Sequence, residues 1–383
     1  MQLAVSPARL RIYRVSVSAF FFVSGLTFAS WASRIPDIKT HLLLNDAALG
    51  AVLFALPSGL MTSLLFAGWL VSRFGSRKVL LGAALLYPAI LVMLGFAGSV
   101  WQLVTVLYLF GLSSNLINIA MNTQAVEVES LYGKSIMASF HGLWSIAGFT
   151  GAAIGTLFVS MRVSPRMHFL LIFLVAAVMV FFFYKYTLPN TTAPPESAPF
   201  FVKPDKHILL LGLIAFCSML CEGAMADWSG VYFQKVVQSP REFVTFGYVA
   251  FTGAMATGRF LGDGLVARLG IKKVLQLSAT LISTGLFIAI LFPHIATAVG
   301  GFLMVGLGVS AVVPLIYGLA GRSATMPAGL ALAAVSSVSF LGFLVGPPLI
   351  GFISQASGLR VAFAVIAIVG LFPAVLAGRI KAN

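Results

Sequence analysis

The feature that most constrains this chain is the recurrence of long, continuously apolar segments along its whole length. A helix crossing the roughly 30 Å hydrocarbon core of a bilayer needs about 20 mostly apolar residues. Because these segments are apolar throughout rather than at alternate positions, they predict helices and not the strands of a barrel. The predicted spans lie near 13–34, 47–71, 78–98, 101–126, 136–160, 166–187, 207–233, 243–266, 273–292, 296–319, 327–353 and 359–379.

Composition excludes a water-soluble fold. Of the 383 residues, 60% are hydrophobic and 9% are charged, whereas soluble domains carry about 25% charged residues. The lipid bilayer must therefore be the solvent for much of the chain. The net charge of +14 does not indicate a nucleic-acid partner, because the basic residues lie in short connections rather than on one face.

One polar, proline-rich stretch, residues 188–206, interrupts the apolar segments and is predicted to be a linker. It divides the chain into an N-terminal six-helix bundle (1–187) and a C-terminal six-helix bundle (207–383). Most of the 24 basic residues fall in connections on the side that holds both termini and the linker. The positive-inside rule therefore predicts a multi-pass protein of the inner (plasma) membrane with both termini cytoplasmic.

The two halves are internally repeated. Leu70–Leu80 (LVSRFGSRKVL) and Leu265–Leu275 (LVARLGIKKVL) align at an offset of 195 positions, with seven identities. Gly111-Leu112 matches Gly306-Leu307 at the same offset. Parallel repeats of this kind are related by an axis along the membrane normal, and transporters so built place their substrate site between the repeats. The fold class is thus an all-α membrane protein of about twelve transmembrane helices in two pseudo-symmetric bundles.

The basic hairpin resembles the signature loop of the major facilitator superfamily, Gly-x-Leu-x-Asp-Arg-x-Gly-Arg-Arg/Lys. The matching residues are Gly68, Leu70, Arg73, Gly75, Arg77 and Lys78. Runs such as AMNTQAVEVE and EGAMADWSG resemble a bacterial branch near the fucose-permease-like proteins. The resemblance implies a transporter that works by alternating access, with no cofactor, and we expect a monomer.

The resemblance also implies a cytoplasmic latch, in which the loop's aspartate joins the two halves. Here Ser72 and Ala267 occupy that position. The predicted gating residues are the hairpin arginines and a pair one helical turn apart in the eighth span, whose acid either replaces the missing aspartate or only neutralises its neighbour. They are Arg73, Arg77, Arg268, Arg259 and Asp263.

Ionisable groups inside a bilayer are costly and mark function. In the seventh span, Glu222 and Asp227 are the candidates for proton coupling, with Glu222 preferred because it lies deeper. The alternative interpretation, an outer-mouth residue that reaches headgroups or pairs with Arg34, suits Asp227 better. Either carboxylate is also a candidate substrate ligand.

Polar and aromatic stripes supply the other candidate substrate-binding residues. In the family, helices 1, 4, 7 and 10 line the cavity, and a further stripe here lies on helix 5. The alternative is structural: amide and hydroxyl groups also hydrogen-bond between helices, and Trp31 and Arg34 suit a membrane interface. The candidates are Ser24, Thr27, Trp31, Arg34, Asn115, Asn118, Asn122, His141, Trp144 and Trp228.

The sequence therefore predicts a secondary active transporter of a small polar or amphipathic solute, sugar-like or another metabolite, with protons as the candidate coupling ion. A drug/proton antiporter is the alternative within the class. A channel or lipid scramblase is the alternative outside it. An enzyme is not expected, because no nucleophile–base, metal or phosphate-cradling motif is present.

Overall fold

A computed structural model describes residues 6–133, 136–189, 205–323, 326 and 328–380. Regular structure in these ranges is helical: fourteen α-helices and a 3-10 turn, Arg241–Phe243. The helices are α1 (Pro7–Ala32), α2 (Ile35–His41), α3 (Asp46–Leu53), α4 (Ala55–Phe74), α5 (Ser76–Leu94), α6 (Val100–Tyr132), α7 (Met137–Ser160), α8 (Pro165–Tyr184), α9 (Lys206–Lys235), α10 (Phe246–Leu269), α11 (Ile271–Leu291), α12 (Ile295–Ala320), α13 (Ala328–Ser357) and α14 (Leu359–Ala377). Most of the predicted linker, residues 190–204, lies outside the described residues.

The predicted all-helical membrane architecture is confirmed. Within the described ranges, 11 helical segments are long and apolar enough to cross a membrane, with α3 and α4 together forming one of them. The remaining long helix, α10, has 24 residues, which is about 36 Å at 1.5 Å per residue. It is less apolar because it carries Arg259, Asp263 and Arg268. About twelve spans, as predicted, account for the chain.

Helix starts follow ordinary capping chemistry. The first backbone N–H groups of a helix have no partner within it, and a short polar side chain at the preceding position can accept from one of them. Such caps are made by Ser6, Asn45, Ser99, Ser164 and Asp205. The N-terminal ends of five helices therefore lie at polar residues outside the apolar segments. These helices are α1, α3, α6, α8 and α9.

Internal contacts group the chain into two compact units. The first unit is Met1–Arg34 with Ala55–Glu196, and the second unit is Ile35–Phe54 with Ser197–Asn383. Helices α2 and α3, which follow α1 along the chain, thus pack with the second unit. Gly50 of α3 meets α13 so closely that an added Cβ would lie 2.5 Å from the Pro347 carbonyl oxygen.

The sequence repeat reappears as repeated geometry inside each unit. Gly75 and Gly270 each precede a helix with a positive φ, 85° and 79°, which favours glycine. Added Cβ atoms on Gly111 and Gly306 would lie 1.8 Å from the Leu56 carbonyl oxygen and 2.2 Å from that of Phe251. Leu56 and Phe251 are themselves 195 positions apart. The same close helix crossing, α4 on α6 and α10 on α12, is therefore built twice.

We expect Gly111→Val to prevent correct packing, because its new side chain would collide with backbone that cannot move aside. Gly306→Val should behave alike in the second unit. The yield of monodisperse protein in detergent and its thermal midpoint measure the effect. Gly68→Val is the matched control, since no atom lies within 4 Å of a Cβ added there. Equal loss of yield in all three variants would contradict the crossing argument.

Candidate functional site

An acidic and a basic side chain meet between α9 and α10 within the apolar part of the second unit. Glu222 Oε1 lies 3.9 Å from Arg259 Nη2, and the two side chains are 16% and 22% exposed. This separation is within reach of an ion pair but too long for a hydrogen bond. Two opposite charges reduce the cost of holding each in an apolar surrounding. Arg259 also points its Nη2 at Met255 Sδ, 3.7 Å away.

The sequence placed Arg259 beside Asp263, one helical turn away, and the pairing with Glu222 was missed. The side chain of Asp263 lies outside the described part of the structure. The available signal was chemical: a buried guanidinium needs a carboxylate, and Glu222 is one of the few acids in the apolar spans. The 3.9 Å separation leaves the pair held by charge attraction rather than by a close hydrogen bond.

The other acid of α9, Asp227, is half-buried. Among the described residues it forms no hydrogen bond or ion pair. The neighbouring Trp228 is fully buried, and its indole Nε1 has no hydrogen-bond partner in the described structure. This stretch of α9 therefore holds one paired acid, one unpaired acid and an unused donor.

Helix α1 carries the predicted polar stripe of the first unit. Ser24, Thr27 and Trp31 are buried. The Thr27 hydroxyl donates to the Val23 carbonyl oxygen of its own helix at 2.7 Å, which satisfies it locally. The Trp31 ring packs against Phe110 with centroids 6.4 Å apart, and its indole Nε1 has no partner among the described residues.

The asparagine stripe of α6 divides into two kinds of position. Asn115 is buried, and its Nδ2 finds no acceptor within the described ranges. Asn122 Nδ2 donates to the Asn118 backbone oxygen at 2.8 Å and to Asn118 Oδ1 at 2.9 Å. Asn118 and Asn122 thus support each other along one helix, whereas Asn115 has an amide donor to offer.

The predicted stripe on α7 contacts aromatic residues of α1. His141 is exposed and stands edge-on to Phe21, with ring centroids 5.3 Å apart. Trp144 is half-buried and lies 6.3 Å from Phe28, centroid to centroid. Both side chains therefore lie at the interface between α1 and α7.

Arg34 is fully buried at the end of the first unit. Its Nε donates to His168 Nδ1 at 3.1 Å, and its Nη2 donates to the Val163 carbonyl oxygen at 3.0 Å. These bonds join the segment after α1 to the start of α8 and favour a structural role for this arginine.

The basic hairpins contain two kinds of arginine. Arg73 and Arg268 are exposed. Arg77 Nη2 donates to the Lys185 carbonyl oxygen at 3.2 Å, just past the end of α8. Its repeat counterpart Lys272 donates to the Gly378 carbonyl oxygen, just past the end of α14, at 3.3 Å. Both cations thus lie at a helix C-terminus, where carbonyl oxygens and the helix dipole favour positive charge.

A second ionic cluster, centred on Asp46, was missed from the sequence. The Asp46 side chain is only 3% exposed and accepts from Lys39 Nζ, from Lys235 Nζ at 2.9 Å and from Ser354 Oγ. Lys39 is itself 9% exposed, whereas Lys235 is 46% exposed. Asp46 follows the helix cap Asn45 and reads in sequence as a first-turn acid. Nothing local signals that it gathers three partners. We name these four residues the Asp46 cluster.

These helices, the doubled repeat and the charged pair within apolar spans define a multi-pass membrane carrier. No group of three or more potential metal ligands occurs among the described residues. A family model described as Major Facilitator Superfamily matches residues 17–328. The chain belongs to the Major Facilitator Superfamily, a family of transporters and not a class of enzymes, which confirms the resemblance seen in the hairpin.

Relatives and solved structures agree with this assignment. An uncharacterised MFS-type transporter of Yersinia pestis is 34% identical over 355 residues, covering 93% of this chain and 92% of that protein. Membrane protein MosC of Rhizobium meliloti is 32% identical over 360 residues, covering 94% and 88%. A bacterial homologue of the human lysosomal transporter Spinster, solved inward-facing and occupied, shares the fold with a TM-score of 0.78 at 13% identity, covering 98% of this chain and 97% of that one.

Proposed function

We propose that this chain is a secondary active transporter that moves a small polar or amphipathic solute, sugar-like or another metabolite, across the inner membrane by alternating access, coupled to protons. The observation that carries the proposal is the Glu222–Arg259 pair at 3.9 Å inside apolar helices. Charges in such a place are expensive and are kept for function. The family supplies the transport itself.

The pair suits proton coupling because its two states differ in charge. With Glu222 ionised, Arg259 has a counter-ion and the pair is neutral overall. With Glu222 protonated, the guanidinium is released with a net positive charge and can hold a polar or anionic part of the solute. Binding of proton and solute are then linked through one side chain, which is what coupled transport requires.

Unused donors support a polar solute. Trp31 Nε1, Asn115 Nδ2 and Trp228 Nε1 are buried without acceptors among the described residues. A buried donor left without a partner costs about 1–3 kcal/mol. A solute with hydroxyl or carbonyl oxygens would restore those bonds when it reaches these residues. We therefore retain Ser24, Asn115, Trp31, Trp228 and Glu222 as the strongest substrate-binding candidates.

Transport by purified protein in proteoliposomes tests the function. A thermal-shift screen in detergent first finds solutes, since a bound ligand raises the melting midpoint by mass action. We expect saturable, stereospecific uptake that follows an imposed pH gradient. Flux that does not saturate would indicate a channel, and lipid flip without solute uptake would indicate a scramblase. Outward movement of lipophilic cations against the proton gradient would indicate the drug antiporter.

For the topology we propose the two six-helix bundles, 1–187 and 207–383, joined by a cytoplasmic linker at 188–206, with both termini cytoplasmic. Single cysteines introduced at Ser6, in the linker and near Arg379 should react with membrane-impermeant maleimide only after the cells are opened. A cysteine at exposed Leu43, between α2 and α3, is the control and should react in intact cells. A linker cysteine that reacts in intact cells would refute the two-bundle topology.

A further inference from the structure

A groove opens in the first unit, lined mainly by α1, α7 and α8. Its volume is about 650 Å³, within the range of small-molecule clefts. The walls are apolar and the basic side chains are confined to one end. The walls are formed by Val15, Ala19, Phe22, Leu143, Met179 and Phe183.

The basic end of the groove carries Arg11 and Arg14. Arg14 Nη2 donates to Ser139 Oγ at 3.1 Å, and its guanidinium carbon lies 5.7 Å from the centre of the Tyr132 ring. These two contacts hold the guanidinium at the mouth of the groove. A guanidinium has five N–H donors, and the other donors of Arg14 find no partner among the described residues. The exposed Arg11 adds a second positive charge.

The groove lies where lipid must be. Helix α8 is the most apolar of the candidate spans. Its most apolar 18 residues have a mean hydropathy of 2.5, and only 28% of them are buried. Phe181 and Phe182, beside the groove residue Phe183, are 80% and 57% exposed. Arg11 and Arg14 stand in the first turns of α1, on either side of the predicted start of the first span at residue 13. Positive charge beside an apolar groove matches the chemistry of an amphipathic anion, which has a charged group and an apolar chain.

We propose that this groove binds an anionic phospholipid, with its phosphate on Arg11 and Arg14 and an acyl chain along α1, α7 and α8. Guanidinium groups suit phosphate because they donate in a planar fork. Basic pockets between transmembrane helices are a recognised form of anionic-headgroup site. In the topology proposed above, the lipid belongs to the cytoplasmic leaflet. No residue that lines the groove belongs to the Glu222–Arg259 pair.

Native mass spectrometry of the detergent-solubilised protein, titrated with phosphatidylglycerol or phosphatidylcholine, tests the site. We expect one retained phosphatidylglycerol per chain and weaker retention of phosphatidylcholine. In Arg11→Gln/Arg14→Gln the affinity for phosphatidylglycerol should fall about 25-fold, since each cation near an anionic headgroup is worth roughly fivefold. Ser18→Trp, which fills the groove without changing charge, should lower retention as well.

Arg9→Gln/Lys78→Gln is the matched control, because it also removes two exposed positive charges, but from residues that do not line the groove. It should keep the bound lipid. Equal loss in the control would show diffuse attraction and overturn the proposal. So would equal retention of both lipids by the wild-type protein, which needs no variant to fold. Complete displacement of the lipid by millimolar inorganic phosphate would also overturn it, because a free-anion site would then explain the binding.

Discussion

Glu222→Gln should abolish solute accumulation driven by a pH gradient while leaving solute exchange in place. A gradient of one pH unit supplies about 1.4 kcal/mol, enough for roughly tenfold accumulation with one proton per solute. Glutamine has the shape of the protonated acid and cannot release a proton. Accumulation should therefore fall to the equilibrium ratio of one. Counterflow of labelled solute in proteoliposomes, at equal pH on both sides, measures the exchange that survives.

Asp227→Asn is the control for Glu222→Gln, since it removes a carboxylate five positions along the same helix that has no described ion pair. It should keep most of the accumulation. Unchanged accumulation and pH dependence in Glu222→Gln would remove that residue from the coupling mechanism. Loss of solute binding together with exchange would make Glu222 a substrate ligand instead. If Asp227→Asn alone uncouples transport, the proton site is five positions further along α9.

Asp46→Asn should cause a large loss of stability in the second unit. The change leaves two ammonium groups, the buried one of Lys39 and the half-exposed one of Lys235, without their shared carboxylate. Breaking a buried pair by removing one partner costs about 3–5 kcal/mol. The thermal midpoint in detergent should therefore drop by roughly 10 °C.

Asp37→Asn is the matched control for the Asp46 cluster. Asp37 also pairs with a cation of the second unit, Arg241, but at 3.5 Å and with side chains 23% and 53% exposed. Exposed pairs contribute about 0–1 kcal/mol, so the midpoint should move by no more than a few degrees. A drop as large as that of Asp46→Asn would mean that burial does not set the difference.

The membrane fold could be predicted because its determinants are local. A continuous apolar run and the polar residues that bound it decide where a helix crosses, and the hairpin repeat at Gly75 and Gly270 is visible in both sequence and backbone. Helix α10 is the hardest case for that reasoning, because Arg259 and Asp263 make it less apolar than the other spans. Its ends nevertheless lie within a few residues of the predicted span.

The ion pairs could not be predicted, because they depend on how helices turn about their axes. Periodicity placed Arg259 and Asp263 on one face of a helix but carried no information on which face of α9 would meet it, and so Glu222 was not paired with Arg259. The Asp46 cluster needed still more, since Lys39, Lys235 and Ser354 come from three separate parts of the chain. Only tertiary packing brings such groups together.

That cluster has a consequence for how the protein is made. Ser354 lies 308 positions after Asp46, and Lys235 lies 189 positions after it. At 5–20 residues per second, a ribosome needs roughly 15–60 s to reach Ser354 after synthesising Asp46. Until then α3 lacks α13, the helix on which it packs. The segment must wait at the translocon or in the membrane with its charges incompletely matched, and the last helices to be synthesised complete the anchoring of some of the first.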